Sequence, residues 1–197
     1  MAYTACAAEV VASIQQDCEN PNVGGYTGRG VLFRHDQAPT IVTDSTNPRI
    51  LKTITLPESG KFVALDNAYM ATPLTDSATA SNSDGGDIRY SKTVSFSVPQ
   101  RGADVSKDII EPLTRNALGF VAILEKKDKA GLGSYEVVGY QQGLKANADG
   151  ISRNEAENNG ATKVTMSCTE VWYEVNFYDT DYATTKAAFE TMLANTY

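Results

Sequence analysis

Apolar residues along this chain recur mostly at every second position, the spacing of a strand with one dry and one wet face. The clearest case is KTVSFSV. There Val94, Phe96 and Val98 alternate with Thr93, Ser95 and Ser97, and Pro99 and Gly102 stop the run. GVLFRH, RILKTITL and GKFVALDNAYM are apolar or β-branched segments between turn residues, and each predicts a strand. GFVAILEKK is apolar at both parities, which predicts a central strand covered on both faces. Phe96 and Ile123 are therefore expected in the core. DKAGLG reads as a turn, with SYEVVGYQQG as the partner strand from Ser134 to Gly143. In ATKVTMSCTEVWYEVNFYD, Val164, Met166 and Cys168 share one face, after which Val171, Tyr173, Val175 and Phe177 take the odd positions. That change of phase near Thr169 and Glu170 predicts a bulge or a turn.

Three segments change period. ADVSKDIIEPLTRN places Val105, Ile109, Ile110 and Leu113 at helical spacing, with Asp104 or Ser106 as cap and Pro112 as a kink or stop. DYATTKAAFETMLANTY predicts a C-terminal helix over residues 181–197, capped by Asp181, with Tyr182, Phe189, Met192 and Leu193 on its apolar side. Near the start, Thr4 precedes Cys6, Val10, Ile14 and Cys18 at i, i+4 spacing, a short helix over residues 5–17. CENPNVGGYTGRG then interrupts it. Residues 1–28 are either an arm on a hinge or a weakly ordered terminus. ATPLTDSATASNSDGGD, residues 71–87, is small and polar, and a long exposed loop is expected there. The whole, residues 1–197, reads as one domain. It is mostly β, a β-sandwich with a helix between strands, a long loop and helical terminal segments.

Composition adds a charge balance. With 17 basic and 24 acidic residues the net charge is −7 and the pI about 4.7, which opposes tight phosphate binding. No basic leader with an apolar core opens the chain, and no apolar run reaches membrane length, so folding in the cytoplasm and no membrane partner are expected. Cys6, Cys18 and Cys168 are too few for a disulfide framework, and reduced, buried thiols are expected.

The search for chemistry is short. His35 has no local partner, and a His35–Cys168 pair has no support in the surrounding sequence. KANADGISRNEA offers Asn147, Asp149 and Gly150 in calcium-loop order, but Lys145 opens it and Glu155 falls one residue short. ASNSDGGDIRYS offers Asn82, Asp84 and Gly85, but Ala80 opens it and no acid closes it. Both read as turns. GGYTGRG leads into a strand and lacks the Lys-Ser/Thr of a phosphate cradle. No catalytic, cofactor or metal residues are assigned, and an enzyme is not expected. Trp172 and Tyr173 are the contacts a carbohydrate- or peptide-binding module would use.

From Tyr90 to Cys168 the elements run alternating strand, helix, apolar strand, turn, strand, polar loop KANADGISRNEAENNG, closing strand. This order resembles the tail tube proteins of long-tailed bacteriophages, in particular those of phages of the Bacteroidetes. Val138, Gly139, Gly143 and Leu144 carry the likeness locally, as does the opening CENPNVGGYTGRGVLF. The resemblance implies a structural virion protein, made in the host cytoplasm and located in the tail. It implies hexameric rings that stack into a tube, contact other tail proteins and let genomic DNA pass without specific binding. A neutral or acidic lumen is expected on that reading, since an acidic wall repels phosphate. A tail completion, baseplate or head-decoration protein is the nearest alternative.

Overall fold

The computed structural model describes residues 25–37, 39–65, 74–80, 88–128, 131–153 and 160–197. The expected helix over 5–17, with Cys6 and Cys18, lies outside them, as does all of the arm before Gly25. The fold is mostly β. The described strands are β1 Tyr26–Arg34, β2 Thr40–Thr43, β3 Ile50–Thr55, β4 Val63–Leu65, β5 Leu74–Ala80, β6 Ile88–Val98, β7 Phe120–Lys126, β8 Tyr135–Val138, β9 Lys145–Ser152, β10 Thr162–Glu170 and β11 Asn176–Phe177.

They form two sheets. The larger has the order β2-β3-β11-β8-β7-β1-β4 and the smaller β5-β6-β10-β9. Every pairing is antiparallel except β3 with β11. β7 is central in the larger sheet, and its residues from Phe120 to Glu125 are all buried, as a strand apolar on both faces should be. One face of that sheet presents Leu32, Ala122, Leu124 and Val138 to Val94, Phe96, Val164 and Met166 of the smaller sheet. The other presents Val31, Phe33, Ile123, Val137 and Phe177 to Phe189 and Met192 of the C-terminal helix, Tyr182–Ala194. The predicted dry faces are correct at Phe96 and Ile123, which are 3% and 0% exposed. Asp181 caps the C-terminal helix as expected, its Oδ1 accepting from the Thr184 N–H at 2.7 Å.

Several expectations need correction. Residues 74–80, placed in the long loop, are strand β5. Seven consecutive backbone pairs, Leu74↔Val94 to Ala80↔Ile88, supply the order that apolar burial could not. Likewise Lys145–Ser152 is strand β9, paired with β10, not a polar loop. The strand expected from Ser134 to Gly143 is only Tyr135–Val138, because a tight turn follows. The helix between β6 and β7 has Gly102 at its cap position with no side-chain cap bond, so neither Asp104 nor Ser106 serves. It runs through Ala103–Val105, Ser106–Ile110 and Glu111–Arg115, and Pro112 does not end it. The helix widens to a π turn, in which the Glu111 N–H reaches back to the Ser106 carbonyl, accommodating the N–H that proline lacks.

The turn after β8 explains two glycines. Gly139 and Gly143 have φ of 83° and 72°, and the Gly143 N–H donates to the Gly139 carbonyl at 2.9 Å. Residues 118–120 press against this turn, with Leu144 N–H to Phe120 O at 2.7 Å and the reciprocal bond at 2.9 Å. Only glycine combines left-handed φ with so close a backbone approach.

Candidate functional site

Two arrangements stand out: the edges of the smaller sheet and a charge cluster buried between the sheets. The edges differ in how they are protected. In the larger sheet, β2 has four residues preceded by Pro39, and β4 has three, with Thr196 bridged in parallel to Phe62 beside it. Short strands and proline blunt an edge. In the smaller sheet, β9 carries a register shift against β10. β5 runs seven residues in unbroken register, and its outer edge has no partner among the described residues.

The wet face of the smaller sheet is rich in hydroxyls. Ser91, Thr93, Ser95 and Ser97 on β6 stand opposite Thr169, Ser167, Thr165 and Lys163 on β10, and Ser95 and Thr165 share a hydrogen bond of 3.2 Å. Lys145 lies opposite Ser167, and Arg89 continues the same parity on β6. β6 and β10 place no acid on this face, so the chain's negative balance is carried elsewhere.

The charge cluster lies where the inter-sheet core ends. Lys92 on β6 is fully buried. Its Nζ is 3.2 Å from Glu136 Oε1 on β8 and 3.7 Å from Glu170 Oε2 on β10. Glu136 Oε2 also accepts from Tyr26 OH and Lys126 Nζ, both at 2.8 Å. Lys126 reaches Glu174 at 2.7 Å. Burial alone would lower the Lys126 ammonium, but Glu136 and Glu174 outweigh it and the net shift is upward. Glu170 accepts the Gly139 N–H on Oε1 at 2.9 Å, while its Oε2 is buried without a hydrogen-bond partner. Burial pushes the Glu170 carboxyl up, and Lys92 and the backbone amides at residues 139–141 pull the other way.

None of these three residues is marked by a motif. The available signal is phase. Lys92 occupies the dry parity of Val94 and Phe96, Glu136 that of Val138, and Glu170 that of Met166 and Cys168. A charge at a dry position of an alternating strand must find partners inside.

The residues weighed from sequence are not brought together. His35 sits in a short turn, with Nε2 3.1 Å from the Tyr140 carbonyl and its N–H on the Gly119 carbonyl at 3.0 Å. Cys168 is a reduced thiol buried on the other sheet, opposite Lys92. Lys145, Asn147, Asp149 and Gly150 belong to β9, not to a calcium turn, whereas Glu155 and residues 81–87 lie outside the described residues. No group of three His, Cys, Asp or Glu is placed to hold a metal among the described residues. GGYTGRG leads into β1, as expected. Trp172 is not a free platform: its ring stacks on Tyr140 at 6.5 Å and carries the Arg49 guanidinium at 6.0 Å. Tyr173 is half exposed and meets Tyr90 edge-on.

A cleft of about 800 Å³ opens between β4, the inter-strand helix and the chain end, lined by Val63, Ile109, Pro112, Leu118 and Tyr197. No protein-family model, curated protein or solved structure matches this chain.

Proposed function

We propose that this chain is a structural subunit that polymerises edge to edge, as a tail-tube protein of a long-tailed phage. The supporting observation is the smaller sheet. It has four strands, alternating in direction, with β5 at one edge and β9 at the other. Because the number is even, β9 of one copy and β5 of the next run antiparallel when both copies point the same way. Head-to-tail joining then needs only a rotation, which closes rings. Six copies, the number the tail-tube resemblance implies, would bring about 24 strands into a barrel about 48 Å across its backbone, at about 4.8 Å spacing and about 40° tilt. Such a barrel is wider than a DNA duplex.

On this reading the larger sheet and the C-terminal helix form the outer wall, and the hydroxyl-rich face lines the channel. Hydroxyls hydrogen-bond water and phosphate without fixed charge, which suits transit. The expectation of a neutral or acidic lining changes here, because the charges that β6 and β10 place on this face, Arg89 and Lys163, and Lys145 of β9 beside them, are basic. Size-exclusion chromatography with light scattering, followed by negative-stain imaging, tests the proposal. Rings or hollow fibres are expected, and a lasting monomer at high concentration would remove it.

A further inference from the structure

We propose that Lys92 and Glu170 condense to an intramolecular amide, a covalent staple between β6 and β10, with Glu136 as proton carrier. The two residues sit on neighbouring strands, both fully buried and both on the dry face. Cys168 is the residue opposite Lys92, and Glu170 is two positions beyond it, so the pair is a diagonal within reach of long side chains. Lys92 Nζ lies 3.7 Å from Glu170 Oε2, close to contact between reacting groups.

Each neighbour fits a role. The Gly139 N–H on Glu170 Oε1 polarises the carboxyl where negative charge develops during attack. Oε2, with no hydrogen-bond partner, is the oxygen free to leave. Burial eases the move of a proton onto Glu170, so an ammonium proton of Lys92 passed on by Glu136 turns the ion pair into an amine and a carboxylic acid, the electrophilic form. Glu136, in contact with Lys92 at 3.2 Å, can take a proton from the amine and return it to the leaving oxygen. Tyr26 and Lys126 hold Glu136 in place from its other oxygen.

The step balances without a co-reactant. The Lys92 nitrogen forms a bond to Glu170 Cδ, and the Cδ–Oε2 bond breaks. Of the three ammonium protons, one stays on the amide nitrogen. The other two leave with Oε2 as water, relayed by Glu136, which ends as it began. Removing two charges from the core also relieves the cost of keeping a buried pair ionised.

Intact-mass measurement of the full chain under denaturing conditions tests this. The purified, aged protein should be lighter by one water. A tryptic digest should join peptide 90–101 to peptide 164–186, with cleavage after Lys92 blocked. Lys92→Met and Glu136→Gln should both keep the full mass. Glu136→Gln retains both reacting groups, so its failure to lose water, with a folded circular-dichroism spectrum, isolates the proton-carrier role. A wild-type chain that stays at full mass, or a water loss that maps to a linear peptide such as one holding Asp84-Gly85 or Asp149-Gly150, overturns the proposal.

Discussion

Gly143 lies so close to Leu118 that a β-carbon on Gly143 would stand 2.2 Å from the Leu118 carbonyl oxygen. That distance is shorter than any packing contact, and Gly143 also has a φ of 72°. The turn from Gly139 to Leu144 is thus clamped between residues 118–120 and the Glu170 carboxylate. Gly143→Ala should destabilise the fold by about 2–4 kcal/mol, combining left-handed strain with a forced shift of two backbones. Urea unfolding would read this as a lower midpoint at constant slope. A loss under about 0.5 kcal/mol would mean that the turn relaxes freely.

Phe96 is 3% exposed in the core between the sheets. Phe96→Ala should cost about 3–5 kcal/mol, a large share of the 5–15 kcal/mol or so that holds a typical domain. Thermal and urea unfolding of the variant check it.

Strand phase was the most legible feature of the sequence. KTVSFSV, GFVAILEKK and TKVTMSCTE each place their apolar residues on the observed dry side. The phase change at Glu170 marks the end of β10 and the turn before Val175 and Phe177 enter the second core. β5 and β9 were not legible, because their order comes from backbone ladders to β6 and β10. LTDSATA and KANADGIS have neither the β-branched density nor the alternation that announces a strand, and partner strands far along the chain decide them. The charge cluster was legible only as an anomaly of phase. Lys92, Glu136 and Glu170 are far apart in sequence, and the packing of two sheets brings them together.

Among the described residues, Lys92 is the one cation that touches both Glu136 and Glu170. Lys92→Met leaves the buried Glu170 carboxylate without its cation, while Glu136 keeps Lys126. A loss of about 3–5 kcal/mol is expected. Adding Glu170→Gln should recover part of it, since the second change removes the uncompensated charge while its amide oxygen still accepts from Gly139. A double-mutant cycle on chemical unfolding measures the coupling. Additive losses would show that the two residues do not interact.

Asp44 organises the β2–β3 turn. It accepts from the N–H groups of Thr46 and Asn47 at 2.8 and 2.9 Å and pairs with Lys52 at 2.9 Å. The Lys52 hydrogen bond and then the two backbone bonds hold its carboxyl down at about 2, from an ordinary 3.8. A depressed carboxylate stabilises the fold above its unfolded value and loses that contribution as pH falls through the folded one. Asp44→Asn keeps the backbone bonds but not the charge. Its melting temperature should lie below wild type at neutral pH, and the gap should close between about pH 4 and pH 2. A constant gap across that range would assign the effect to something other than ionisation.

The polymerisation proposal rests on the outer edge of β5, which has no partner among the described residues, and proline can test it through the backbone. Along an edge strand, N–H groups point alternately inward to the neighbouring strand and outward to solvent. Ser77 and Ala78 are consecutive in β5, opposite Ser91 and Tyr90, so one of them directs its N–H outward and the other toward β6. Proline removes a single N–H. At the inward position it breaks a ladder bond and should lower the stability of the lone subunit. At the outward position the subunit keeps its ladder to β6 and its melting temperature, yet the edge can no longer complete pairing with β9 of another copy. Of Ser77→Pro and Ala78→Pro, the variant that melts like wild type should therefore be the one that fails to form rings or fibres in negative stain. If that variant assembles as well as wild type, β5 is not the joint between copies. The ring would then have to close through the larger sheet, whose edges β2 and β4 are shorter and already blunted.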